Sequence, residues 1–217
     1  MRIGGFQKFS LSDFPGLTAA IVFTQGCNFR CPFCHNGGLI PETPNDGLLI
    51  PEEYVLSYLS SRVGKLDGVV VTGGEPTLQE DLAGFLARVR KIGYRIKIDT
   101  NGSRPEVLER LISGGLVDYV SMDVKAPRLS YDRLTGVTAP IDEITRSIEL
   151  LSCSGIEHEF RTTRVPSLLS DRDMDGVAEM IPDGSRFKLQ AFNPSEAFDR
   201  SLRAPDAAQR QTERINR

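Results

Sequence analysis

The sequence predicts an α/β fold in which parallel strands, each followed by a helix, curl into a barrel that does not fully close. Three observations carry this expectation. Apolar runs of strand length alternate with helical patterns through most of the 217 residues, as they do in βα units built around a parallel sheet. Several of those strands are polar on one face, whereas parallel strands covered by helices on both sides are apolar throughout. A chain of this length with 40% hydrophobic residues buries a full core as one unit, so a single domain over residues 1–217 is expected.

The first strand, residues 19–24, reads AAIVFT and runs into a cysteine-bearing loop; residues 37–47, rich in Gly and Pro, continue as loop. A helix over 51–63 opens on Pro51, where a first helical turn tolerates proline. Strand 68–72 (GVVVT), helix 79–92 and strand 94–99 (YRIKID) follow, then a helix over 105–113 that again starts on proline. Strand 118–125, helix 141–154, strand 157–165, a helix over 172–181 capped by Asp171, and strand 187–192 complete the pattern. Six strands are expected. The polar tail, residues 195–217, has Phe198 and Leu202 as its main apolar anchors and reads as a loosely docked helix or a partly disordered segment.

The polar phase is clearest where Tyr94, Ile96 and Ile98 alternate with Arg95, Lys97 and Asp99, and where Val120, Met122 and Val124 alternate with Ser121, Asp123 and Lys125. Phe187, Leu189 and Ala191 alternate with Lys188 and Gln190 in the same way. One explanation is a sheet with one face in water. Helices follow these strands, however, and cover their apolar side, which turns the polar side inward. A small closed barrel fills its middle with bulky apolar groups, so a polar interior points to a wider or open barrel that holds a charged ligand. Arg161 and Thr163 share a phase that could reach the same interior, with a structural ion pair or an exposed side chain as the plainer role for the arginine.

Charge is nearly balanced, 26 Lys+Arg against 29 Asp+Glu, which supplies no basic field for a phosphate backbone and argues against nucleic acid as a partner. No apolar run approaches the roughly 20 residues of a membrane span, and MRIGGFQKFS lacks the apolar core of a signal peptide. No membrane association and a cytoplasmic location are expected.

Three of the four cysteines crowd into one loop, QGCNFRCPFCHN, spaced C-x3-C-x2-C at Cys27, Cys31 and Cys34. A disulfide framework would spread them; clustered thiols in a reducing compartment indicate a metal or catalysis. Cys153 stands apart in a helical pattern and reads as a small buried apolar residue. A structural zinc needs four protein ligands, and the nearby fourth, His35, adjoins Cys34 awkwardly for shared tetrahedral coordination. An iron-sulfur cubane held by three thiolates fits better, leaving one iron open to a small molecule. A zinc-binding module stays as an alternative.

With Phe33 before the last cysteine, this loop resembles the signature of the radical S-adenosylmethionine (radical SAM) superfamily. Asp13-Phe14-Pro15-Gly16, Gln25-Gly26-Cys27 and Cys34-His35-Asn36 resemble its glycyl-radical-enzyme activases, and among those the chain is most similar to anaerobic ribonucleoside-triphosphate reductase activating proteins. The resemblance implies a partial (β/α)6 barrel of parallel strands, with Cys27, Cys31 and Cys34 binding one 4Fe-4S cluster and S-adenosylmethionine (SAM) as cosubstrate. Thr72-Gly73-Gly74-Glu75-Pro76 is similar to the family's GGE motif. Gly73 and Gly74 would let backbone approach the methionine amine, and Glu75 would fix the loop or accept from that amine. Asp99-Thr100-Asn101-Gly102 and Asp123-Val124-Lys125 resemble motifs that line the SAM site, bringing in Asp99, Thr100, Asp123 and Lys125. Asp99, Thr100 and Asp123 could also hold a monovalent cation, and Phe33 would meet the adenine side. His35 and Asn36 would shape the cluster loop and the entrance for a protein substrate.

The implied reaction is reductive cleavage of SAM followed by hydrogen-atom abstraction from a glycine of a partner, an anaerobic ribonucleotide reductase. No catalytic side chain beyond the cluster and SAM is required. Some activases carry an extra eight-cysteine segment after the cluster loop; none stands here, so the electron would come from a separate flavodoxin or ferredoxin. A small-molecule radical SAM enzyme of the deazapurine-synthase kind is the other reading of the same motifs.

Overall fold

In a computed structural model that describes residues 1–44 and 47–203, one sheet takes its seven strands in sequence order. They are β1 (Ile3–Phe14), β2 (Leu17–Thr24), β3 (Gly68–Gly73), β4 (Arg95–Thr100), β5 (Tyr119–Asp123), β6 (Glu157–Arg164) and β7 (Phe187–Ala191). β2 through β7 pair in parallel, each with the next, and β1 pairs antiparallel with β2. Helices α1 (Glu52–Ser60), α2 (Leu82–Ile92), α3 (Pro105–Ser113), α4 (Tyr131–Thr135), α5 (Ile141–Cys153) and α6 (Asp171–Ala178) fill the connections. The result is a half-barrel with β1 and β7 as its two edges.

The six predicted strands are β2 to β7, and the expected count is corrected to seven by β1. Residues 3–14 carry no clean alternation because the strand is an edge, largely open to solvent, and its pairing with β2 is interrupted by three register shifts. Phe14 pairs with Leu17, so the Asp13-Phe14-Pro15-Gly16 motif is the corner of a hairpin. Gly16 turns it at φ 73°, where a side chain would be strained.

Two apolar bodies explain the alternation. Val22, Val71, Ile98, Val120, Met122 and Phe160 point outward and pack with the helices into the main core. Phe14, Ala19, Ile21, Val70 and Tyr119 form a smaller cluster on the other face of the sheet, the floor of the half-barrel. Above that floor the inward residues turn polar: Lys97, Asp99, Ser121, Asp123 and Arg161. Lys97 is 1% exposed and Ser121 0%, so in β4 and β5 the polar phase faces the interior as the alternation predicts; in β7 the apolar phase, Phe187 and Leu189, is exposed, against the expectation of a covering helix.

Smaller corrections concern helix ends. The second helix starts at Leu82, after a 3-10 turn over Pro76–Leu78. Ser170, not Asp171, caps α6. Its Oγ accepts the Asp173 N–H at 3.2 Å while the Asp173 carboxylate accepts the Ser170 N–H at 2.9 Å. Cys153 is exposed rather than buried, because the inward phase of α5 is Ile144, Ser147, Ile148 and Leu151. Residues 195–203 form two 3-10 turns, Pro194–Glu196 and Arg200–Leu202, instead of a helix; the expectation for 204–217 lies outside the described residues. Among the described residues no helix is long and apolar enough to cross a membrane.

Candidate functional site

The cysteine loop leaves the end of β2 through Gly26, at φ 101°. Buried Gln25 braces it, its side-chain amide donating to the carbonyls of Gly38 (3.0 Å) and Pro41 (2.7 Å). The Gly26 and Cys27 N–H groups donate to Leu39 O at 2.8 Å and Ile40 O at 3.0 Å, and the Arg30 N–H donates to Thr135 O at 2.7 Å. Cys27, Cys31 and Cys34 are free thiols on the wall of one cavity of ≈ 350 Å³. Burial pushes the Cys27 thiol up to about 12 and Cys31 up to about 11, and raises Cys34 as well; nearby Lys125 works against this at all three. Left bare, these thiols stay protonated at neutral pH, and a bound metal is what makes such groups thiolates.

The donor set suits a cluster better than a single ion. His35 uses Nε2 to accept the Asn193 N–H at 3.3 Å, and its ring stacks on Phe192 at 5.9 Å. Among the described residues no group of three or more His, Cys, Asp or Glu side chains is placed to hold one metal ion. Thiolates that each take a different iron of a cubane do not have to converge on one point.

At the end of β3 the two glycines of Thr72-Gly73-Gly74-Glu75 are required by protein packing. A Cβ on Gly73 would lie 2.3 Å from Thr24 N, and one on Gly74 would lie 2.1 Å from Gly26 O. This contact lets the Gly74 N–H reach Thr24 O at 2.9 Å and the Glu75 N–H reach Gly26 O at 2.8 Å, locking the loop against the cysteine segment. Glu75 is 1% exposed. Its Oε1 accepts from Thr77 N (3.1 Å), Thr77 Oγ1 (2.5 Å) and Thr100 Oγ1 (2.7 Å), and its Oε2 accepts from Asn101 N at 2.7 Å. Of the two roles expected for Glu75, these bonds are those of a loop brace, tying the end of β3 to the end of β4. Burial raises its pKa, and the hydrogen bonds offset that only in part.

A charge ladder crosses the strand ends from β4 to β6. Lys97 pairs with Asp99 Oδ1; Arg161 donates to Asp99 Oδ2 at 3.3 Å and to Asp123 Oδ1 at 2.9 Å; Lys125 donates to Asp123 Oδ2 at 2.8 Å. Burial opposes the charges of Asp123, Lys125 and Arg161. For Asp123 the effect of Arg161 and Lys125 outweighs burial and holds the carboxyl well below its usual range; Asp123 likewise holds Lys125 and Arg161 above theirs. The Arg161 guanidinium bridges Asp99 and Asp123, two of the three residues that the resemblance implied for a monovalent cation. Thr100 is engaged too, donating to Glu75 and accepting the Gly102 N–H at 3.1 Å.

Phe33, Gly73, Gly74, Glu75, Asp99, Thr100, Asp123 and Lys125 all line the same cavity as the three cysteines. His35, Asn36, Arg161, Thr163 and Gln190 join them, so Arg161 is both a structural ion pair and part of the cavity wall. Two asparagines not singled out from the sequence tie the walls together: Asn101 Nδ2 donates to Asn28 Oδ1 at 2.9 Å, and Asn28 Nδ2 donates to Ser103 Oγ at 2.9 Å. Asn28 lies in the cysteine loop and Asn101 in the Asp99-Thr100-Asn101-Gly102 motif, but nothing in the sequence assigns either amide a role of its own.

Residues 21–181 match the family model of the radical SAM superfamily. A protein of Methanocaldococcus jannaschii named as a glycyl-radical enzyme activating enzyme is 34% identical over 207 residues, 93% of this chain and 84% of its own length. One of Thermococcus kodakarensis named as a GTP 3',8-cyclase is 34% identical over 143 residues, 64% of this chain but 46% of its own. The crystal structure of Streptococcus suis SuiB bound to precursor peptide SuiA superposes with a TM-score of 0.65 at 16% sequence identity, over 90% of this chain and 44% of that one. The present chain therefore spans less than half of the latter two proteins, and the last of them bears on fold alone.

Proposed function

The chain belongs to the radical SAM superfamily, and from that membership we propose that it activates a glycyl-radical enzyme, an anaerobic ribonucleoside-triphosphate reductase. Radical SAM enzymes use a 4Fe-4S cluster and SAM, which when bound supply a one-electron cleavage of the sulfonium and an adenosyl radical able to take a hydrogen atom from a glycine Cα. The observation that carries the reading is the cavity itself, with three unpaired thiols on one wall and a ladder of paired charges on another.

Cys27, Cys31 and Cys34 are the three protein ligands to the cluster. Glu75, Thr100 and Asn101 hold the β3 and β4 ends in register, so that Gly73, Gly74 and Asp99 meet SAM as a rigid surface. The ladder has three cations and two carboxylates, Lys97, Arg161 and Lys125 against Asp99 and Asp123. Lys97 lies behind the cavity wall, where Arg161 and Lys125 balance Asp99 and Asp123, so it is the N–H donors of Arg161 and Lys125, not a net charge, that suit the carboxylate of SAM's methionine part. Phe33, 4% exposed on the cavity wall, packs toward the adenine. No acid-base pair is needed, because the transferred group is a hydrogen atom. Cavity residues come from both edges of the half-barrel, Asp13 on β1 and Gln190 on β7. A docked partner segment closes that opening and excludes water. A flavodoxin or ferredoxin delivers the electron.

The match to GTP 3',8-cyclases favours a small-molecule substrate as the second reading, over 64% of the chain. One experiment separates the two: anaerobic reconstitution with iron and sulfide, reduction, and addition of SAM with a candidate reductase. Methionine, 5'-deoxyadenosine and a glycyl radical signal in the reductase are expected. SAM cleavage that never yields that signal with any glycyl-radical enzyme, but consumes a purine nucleotide, moves the assignment to the second reading.

A further inference from the structure

Each cysteine of the loop has its own backbone anchor. The Cys27 end hangs on the carbonyls of Leu39 and Ile40, and the stretch before Cys31 hangs on Thr135 through the Arg30 N–H. The Cys34 end is held from the C-terminal side of the chain. The Phe198 N–H donates to the Cys34 carbonyl at 2.9 Å and the Asp199 N–H donates to the Pro32 carbonyl at 2.8 Å. The Phe198 ring lies flush on Gly37, where an added Cβ would come within 2.7 Å of it. Phe192 stacks on His35, whose Nε2 accepts the Asn193 N–H. Ala197, at 0% exposure, anchors the middle of the segment. Unlike the other two anchors, this one lies beyond the 21–181 stretch that the family model matches.

We propose that residues 192–199 are a strap that positions Cys34, so that the third ligand of the cluster is held by the chain's C-terminal segment and not by the barrel. The inference rests on the reading of Cys27, Cys31 and Cys34 as cluster ligands. It gives the Cys34-His35-Asn36 sequence a definite role, with His35 as a fastening point for the strap. Phe198 is then a positioning residue that acts through the Cys34 peptide, and Gly37 is glycine because the ring must sit on it. Outer residues that orient metal ligands commonly govern how firmly the metal is held.

Two variants attack the contact from opposite sides: Phe198→Ala removes the ring, and Gly37→Ala pushes it off. Wild type and variants are reconstituted anaerobically with iron and sulfide. Measured quantities are iron and sulfide per chain, the electron paramagnetic resonance spectrum of the reduced cluster, and the rate at which a chelator bleaches the oxidised cluster. Each single variant is expected to lose its cluster roughly 10-fold faster and to show an altered spectrum, with an apo-protein urea midpoint close to wild type. The double variant should be no worse than either single one, since both disrupt one contact. Wild-type bleaching rates and spectra in both variants overturn the strap while leaving the cluster in place. Additive losses in the double variant also overturn it. A wild-type protein that takes up no iron and sulfide overturns the ligand reading, and the strap with it.

Discussion

Glu75 is a carboxylate shut away from water with four donors aimed at it, two from Thr77 and one each from Thr100 and Asn101. In Glu75→Gln one oxygen becomes an NH2 group that must face either the threonine donors or the Asn101 N–H, leaving a buried donor unsatisfied. A stability loss of about 1–3 kcal/mol is expected, read as a lower urea midpoint of the apo-protein; an unchanged midpoint would show that the brace is dispensable. The pH dependence has a definite sign. Burial raises the Glu75 pKa above its ordinary 4.5, so between that value and the raised one the native state keeps a proton that the unfolded chain releases. Stability from this group is full below pH 4.5 and falls as pH rises through the window; Glu75→Gln should flatten that slope. The sequence marks Glu75 as important through the GGE resemblance. It does not show that Gly73 and Gly74 are needed to let Thr24 and Gly26 pack against them, because that contact joins loops nearly fifty residues apart.

Among elements, the ladder joining β4, β5 and β6 is the feature most legible from sequence. Strict alternation fixes which residues point inward; the register then sets Asp123 opposite Arg161 and Asp99 opposite Ser121, one inward position back, from which Asp99 still reaches the long Arg161 side chain. Asp123→Asn leaves Lys125 without a carboxylate and Arg161 with Asp99 alone. With 25% of the Asp123 side chain exposed, the expected cost is roughly 2 kcal/mol, below that of breaking a fully buried pair. Asp123 has a depressed pKa, so its contribution is present above the ordinary aspartate value of 3.8 and is lost as pH falls toward its folded value. The variant should therefore be less acid-sensitive in urea titrations below pH 4, and a wild-type acid slope would assign that sensitivity to other carboxyls. Helix ends are less legible, since Ser170 and Asp171 are both acceptable caps and only backbone geometry chooses between them. Ser170→Ala should cost about 1 kcal/mol, whereas Asp171→Ala, which breaks only an exposed pair with Arg164, should cost a few tenths. Equal losses would contradict the capping box. β1 is the least legible strand, because an exposed, bulged edge needs no apolar phase.

On the scale of the whole molecule, the half-barrel leaves its candidate cavity between separately held pieces. These are the hairpin edge with Asp13, the strand ends with Asp99 and Asp123, the cysteine loop, and Gln190 on β7. No backbone pairing closes β1 onto β7, so a ligand that touches several pieces at once stabilises the fold by binding only its native arrangement. On the proposed reading the ladder and the thiols would contribute to that binding separately. If SAM binds through the open iron, its linkage to folding must need the cluster, whereas contacts to Asp99 and Lys125 alone would act without it. Reconstituted protein at SAM concentrations about 100 times the dissociation constant should gain about 2.7 kcal/mol, seen as a rise in thermal midpoint that scales with the logarithm of SAM concentration. Apo-protein at the same concentrations should gain far less, because its thiols are protonated and present no iron. Asp99→Ala should reduce the gain in the reconstituted protein without abolishing it, as it removes one wall contact and leaves the iron. An apo-protein that gains as much as the reconstituted one would place SAM on the ladder alone, and the three cysteines would then need a role other than holding its anchor.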